Sequence, residues 1–423
     1  MTARDHGRGL PSAKRTVALL SSAGVRQILT GPLALSLACA AGAVPLVAPA
    51  GAAAAEAGVR QTDPLKLPVM VSELADGAPC TAASSKVAVA EPRYQGTLAL
   101  SRAWRFSRGA GVKVAVVDSG VADGTARLDG RVTTVSGAGD CVGHGSFVAS
   151  LIAAAPTSGT DFSGVAPKAG ILAVRGTDAR GVPSAATVAA GVRAAADAGA
   201  EVIVVGPALA GGSRALTKAV QHAIARDALV VAAAAPEAQA HQGANKGRGP
   251  ARDYWPAAQK GVLSVVGTSA DGSLPDSTAA PRRADLAAPG SGVIGVGPRG
   301  EGHFIGTGSA LAAGFVAGAA ALVRDRHPDL SAAETAERLT MTAYPADVPQ
   351  LDVYAALTST GRTTPVAAVP DAEPVRLPSD AVAAQATRRA SVMSAMGAAV
   401  VGAVVWLAVV VRARGRRRED HSG

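Results

Sequence analysis

Two residues in this chain have the type and setting of catalytic groups. Asp118 closes the apolar run GVKVAVVDSGV, so a carboxylate stands where a buried strand gives way to a Ser119-Gly120 turn. Taken alone, an Asp in that place is a turn former that caps a strand end. His144 lies in DCVGHGSFVASLIAA between Gly143 and Gly145, with Phe147, Val148, Leu151 and Ile152 on one helical face behind it. The pattern predicts a helix that begins at His144, with glycines that let another segment approach closely. An Asp that ends a strand and a His that opens a helix about 26 residues later meet above one edge of a sheet. There they can act as the orienting carboxylate and the general base of nucleophilic catalysis.

The elements that must position them follow from periodicity. Val112 to Val117, Ile171 to Val174, Val202 to Val205, Leu229 to Ala234 and Val262 to Val266 read as buried strands, separated by small-residue helical stretches. Ser184 caps a helix that runs to about Ala198 with Gly199 just past its end, and another helix spans Leu216 to Arg226. The fold class is α/β, a mostly parallel sheet with helices on both faces. In such folds functional groups collect at the carboxyl ends of strands.

A length of 423 residues with 48% apolar and only 3% aromatic content implies a large core packed on Ala, Val and Leu, and excludes bulk disorder. The net charge of +9 belongs to the ends. Arg4, Arg8, Lys14, Arg15 and Arg26 stand against Asp5 at one end, and Arg412, Arg414, Arg416, Arg417 and Arg418 against Glu419 and Asp420 at the other. The near-neutral middle offers no nucleic-acid surface. Residues 1–55 read as a signal peptide ending near Ala53 or Ala55, and 56–100 as a Pro-punctuated extension, either a propeptide or a wrapped arm. The main domain spans 101–358, a Pro-rich linker 359–389, an uncharged membrane-spanning helix 390–411 and a basic cytoplasmic tail 412–423. The main domain is thus expected outside the cytoplasm, held at the cell membrane by one pass. Of three cysteines, Cys39 sits in the signal segment, which leaves Cys80 and Cys141 as the expected disulfide in an oxidising compartment.

With these residues in place, the chain resembles the subtilisin-like serine peptidases, and in particular the mycosins, membrane-anchored peptidases associated with type VII secretion. Asp118 matches the family's D-S-G aspartate and His144 its H-G-x-x-V-A histidine. SGVAPKAGILAVR from Ser163, YWPAAQKGVLSVVG from Tyr254, DLAAPG from Asp285 and FVAGAAALV from Phe315 resemble family framework segments. The resemblance also implies that the extension is tied to the histidine loop through Cys80 and Cys141. A second disulfide usual in mycosins has no cysteines to form it.

The nucleophile segment departs from the pattern G-T-S-x-A-A-P-x-V-A-G. Counted back from Val316, this chain reads GSALAAGFVAG, so Ala310 takes the serine's place and Gly314 the proline's. Ser309 either serves as nucleophile one position early or stands as a small hydroxyl residue where the family has threonine. One step along a helix start rotates a side chain by about 100° and shifts it about 1.5 Å, and misplacement near 1 Å costs about 10²-fold. The family's oxyanion asparagine also has no counterpart. LVVAAAAPEA puts Pro236 there, and the chain's single asparagine, Asn245, lies in a later Gly-rich loop. Losing such a nucleophile removes about 10⁶ of rate, and an oxyanion donor is worth about 3–4 kcal/mol.

His222, His241, His303 and His327 show no metal-ligand spacing, and no cofactor is expected. The resemblance therefore implies two readings. One is a catalytically inactive pseudoprotease with a scaffold or peptide-binding role, holding polypeptide in its cleft. The other is an active serine endopeptidase using Ser309 with His144 and Asp118. The implied partners are a type VII secretion membrane complex or a paralogous mycosin.

Overall fold

The computed structural model describes residues 65–128, 130–237, 250–275, 279–360 and 381–419. The expected signal peptide, the start of the extension, Asn245 and most of the Pro-rich linker lie outside the described residues.

Along the chain come α1 (Arg93–Thr97), α2 (Leu100–Ala103), β1 (Lys113–Asp118), β2 (Val132–Ser136), α3 (His144–Ala153), β3 (Gly170–Arg175) and α4 (Ala185–Asp197). Then follow β4 (Val202–Val205), α5 (Arg214–Ala225), β5 (Leu229–Ala233), β6 (Val262–Thr268), β7 (Leu286–Pro289), β8 (Val293–Val296) and β9 (His303–Gly306). Four helices close the described chain: α6 (Ser309–Arg326), α7 (Ala332–Met341), α8 (Val353–Thr358) and α9 (Ala381–Glu419).

Seven parallel strands form one sheet in the order β2-β3-β1-β4-β5-β6-β7, and β8 pairs antiparallel with β9. The five apolar runs expected as strands are β1, β3, β4, β5 and β6, with ends within two residues of those expected. The sequence reading did not single out β2, β7, β8 and β9. β2 is a half-exposed edge strand with two threonines, and the other three hold four residues each, too few to show a period.

Strand periodicity sends alternate side chains to opposite faces. Val114 and Val116 of β1 pack into the core that contains α3 and α6, whereas Ala115 and Val117 join α4 and α5 on the other face. The residues of α6 from Ser309 to Val323 are all buried, as expected for a helix that is apolar all round. The Ser184 cap is present, its hydroxyl accepting from the Thr187 N–H while the Thr187 hydroxyl accepts from the Ser184 N–H. Gly199 follows this helix with φ +77°.

The described part of the extension, from residue 65, packs along the domain. Residues 68–70 pair with β9, the Met70 N–H donating to the Ile305 carbonyl and the Ile305 N–H to that of Pro68. Leu74 N–H donates to the Arg180 carbonyl, and Cys80 is bonded to Cys141. Within α9, Arg388–Val410 is the one span among the described residues long and apolar enough to cross a membrane, and none of it is buried. The helix is longer than the expected span on both sides, taking in the end of the linker and the start of the basic tail.

Candidate functional site

The connections leave β1 toward β2 and β3 and then cross to β4 and beyond, so the chain ends after β1 and β4 diverge above the sheet. Asp118, the last residue of β1, lies in that divide and is 3% exposed. One of its oxygens accepts from the Ser119 N–H at 2.7 Å and from His144 Nδ1 at 2.8 Å. The other is buried without a hydrogen-bond partner and faces Gly206, just past β4, where a Cβ would collide with it.

His144 is the first residue of α3, placed by a dense set of contacts. Gly143 before it has φ +91°, and a Cβ on Gly145 would strike the Gly120 carbonyl, so both glycines are required for this approach. Asp140 caps the helix, its oxygens accepting from the Gly143 N–H at 2.7 Å and from the Ser146 N–H and hydroxyl at 2.9 and 2.8 Å. Burial raises the Asp140 pKa above the ordinary value, opposed by these hydrogen bonds. The neighbouring Cys141 is bonded to Cys80, and Thr81 adds a hydrogen bond to each of the Cys141 and Val142 carbonyls.

The second ring nitrogen of His144 meets a carboxylate that the sequence reading passed over. Glu237 places Oε1 3.0 Å from His144 Nε2, with its side chain only 11% exposed. The carboxylate lies directly against Gly308, where any Cβ would overlap it. Burial disfavours a charged imidazole, but the carboxylates of Asp118 and Glu237 outweigh it and hold His144 well above the ordinary histidine value. That raised value favours the imidazolium, in which both nitrogens donate to carboxylates and no lone pair is left to accept a proton.

The remaining expected residues divide. Pro236 and Ala310 line the same small cleft of about 80 Å³ as Asp118, His144, Glu237, Ser72 and Glu73. Ser309 points elsewhere. It is 2% exposed, and its hydroxyl accepts from the Gly267 N–H on β6 at 3.2 Å. The structure thus brings Asp118 and His144 together and does not bring Ser309 to them. Glu237 stands 93 residues from His144, so no local spacing relates the two. The only signal was a charged residue directly after the proline that ends an apolar run.

Comparison with known proteins identifies the family of the fold. The family model described as the subtilase family matches residues 109–374. Mycosin-4 of Mycobacterium tuberculosis is 34% identical over 376 residues, covering 77% of this chain and 82% of that protein. The structure of MycP3 protease from the type VII (ESX-3) secretion system superposes with a TM-score of 0.56 and 31% identity, over 71% of this chain and 99% of that one. A chain of the periplasmic assembly from the ESX-5 inner membrane complex gives a TM-score of 0.59 at 28% identity, over 74% of this chain and 99% of that one.

Proposed function

The chain belongs to the subtilase family and within it to the mycosin type, and from that premise we propose that it is a catalytically inactive, membrane-anchored member with a scaffold or peptide-binding role linked to type VII secretion. One observation carries the reading: Ala310 stands at the nucleophile position while the Glu237 carboxylate occupies His144 Nε2, the nitrogen that must deprotonate a nucleophile. A methyl group cannot attack a carbonyl. Ser309 cannot be activated without leaving Gly267, and Pro236 supplies neither a side-chain nor a backbone N–H to an oxyanion.

The membrane part rests on Arg388–Val410. Its 23 unburied residues, apolar apart from Arg388, Arg389, Ser391 and Ser394, make a helix of about 35 Å against a hydrocarbon core of roughly 30 Å. The arginines that follow support a tail in the cytoplasm and a main domain outside it. The similarity to MycP3 and to a chain of the ESX-5 inner membrane complex supports a type VII secretion membrane complex, or a paralogous mycosin, as partner.

The test is intact mass of the full chain in detergent after treatment with a fluorophosphonate, with peptide mapping and a heat-denatured control. The expected result is no adduct on the folded protein. An adduct on Ser309 confined to the folded protein would overturn the reading and make the chain an active serine endopeptidase.

A further inference from the structure

The cleft already shows which chemistry it accepts. A carboxylate, that of Glu237, sits on His144 Nε2 at 3.0 Å and rests on Gly308, where no side chain intervenes. Behind it the ring is fixed by Asp118 at 2.8 Å. Around it the lining groups from Gly206, Pro207 and Ala310 are small, and the free space of about 80 Å³ suits a carboxylate on a short stem rather than a bulky side chain.

Resting on the reading that this cleft binds without cleaving, we propose that it is a carboxylate receptor. A carboxylate of an incoming polypeptide, from its C-terminus or from an Asp or Glu side chain, replaces Glu237 on His144, and Glu237 is the internal occupant of the empty site. The exchange conserves charge where charge is most costly. Asp118 stays, His144 remains a cation, one carboxylate leaves for water and another enters. A neutral amide carbonyl in the same place would leave the buried imidazolium with one carboxylate instead of two, and a lysine or arginine side chain would meet it cation to cation. Charge-assisted hydrogen bonds of this kind are the strong ones. Glu73, which also lines the cleft, opposes an incoming anion. Its pKa is raised by burial and then by Asp178, which lessens that opposition without removing it.

The internal occupant predicts the sign of the decisive experiment: removing it strengthens binding. Binding of three fluorescent hexapeptides that share their first five residues is measured by anisotropy on the full chain in detergent. One has a free C-terminus, one a C-terminal amide, and one an amide with a glutamate as the last residue. Glu237→Ala is expected to bind one or both carboxylate peptides roughly ten- to a hundredfold more tightly than the unaltered chain, with no gain for the plain amide. The free-acid and glutamate arms distinguish terminal from side-chain recognition. Glu73→Gln is expected to strengthen the same peptides by a smaller factor, and it also covers the case in which Glu237→Ala fails to fold. Equal affinity for acid and amide peptides would overturn the carboxylate receptor and leave peptide binding in place. Loss of all peptide binding by folded protein would overturn both and leave the scaffold role, whereas a fluorophosphonate adduct on Ser309 would overturn the inactive reading itself.

Discussion

On the His144 side of the cleft, each group that orients an imidazole is present and engaged. Asp118 bonds Nδ1, Asp140 caps the helix, Gly143 and Gly145 admit the close approach, and the Cys80–Cys141 disulfide fixes the preceding loop. On the Ala310 side, packing is equally complete, but alanine and proline stand where the family pattern has serine and asparagine. Ala310 is 1% exposed at the start of a helix buried from Ser309 to Val323, Ser309 bonds Gly267, and Pro236 precedes a glutamate that covers Gly308. An alanine fills almost the volume of a serine, so the core registers no loss where the family pattern's hydroxyl is replaced by a methyl. Framework and reactivity are separate constraints, and only individual side chains report on the second.

The largest expected effect comes from rebuilding the deficient side. Ala310→Ser with Pro236→Asn restores a hydroxyl and a donor but leaves Glu237 on Nε2, and fluorophosphonate labelling is expected to stay slow. Adding Glu237→Ala frees the base, and labelling of Ser at position 310 should accelerate by about 10²–10⁴-fold, the usual contribution of a positioned base. No acceleration would mean that the two sides differ by more than these three residues.

Next is the anchor of the intact side. The disulfide spans a sequence separation of 61 residues, and loop-closure entropy assigns it about 4 kcal/mol. Cys80→Ala with Cys141→Ala is expected to lower Tm by roughly 8–16 °C for a domain of this size. A loss confined to a few degrees would show that the other contacts hold the histidine loop unaided.

The bridge between the sides gives a smaller, pH-dependent effect. His144 is held above its ordinary value of 6.5, so its pairing stabilises the fold in full below about that pH. The contribution is lost as pH rises through the higher folded-state value. Thermal melts of the unaltered chain should therefore weaken toward alkaline pH, and Glu237→Gln should shallow that slope and cost about 1–3 kcal/mol at neutral pH. An unchanged slope would break the claim that Glu237 holds the imidazolium.

The smallest effect separates the two roles offered for Ser309. Ser309→Ala removes one hydrogen bond to Gly267 and is expected to cost about 1 kcal/mol in denaturant melts, with fluorophosphonate reactivity unchanged at background.

The sequence alone determined the architecture, the strands from β1 through β6 apart from the edge strand β2, and the pairing of Asp118 with His144. Those features are carried by local periodicity and by residues at the ends of elements, where neighbouring positions in the chain suffice. Counting along one helix against the pattern of the resembled family was likewise enough to set Ala310 at the position of that pattern's serine. The orientation of Ser309 toward Gly267 and the arrival of Glu237 on His144 Nε2 were decided only in three dimensions. Both depend on how the chain ends after β5 and β6 and the start of α6 meet above the sheet, and a carboxylate 93 residues from its partner leaves no periodic trace. Its pairing is fixed by burial, which makes an unpartnered charge too costly to leave alone.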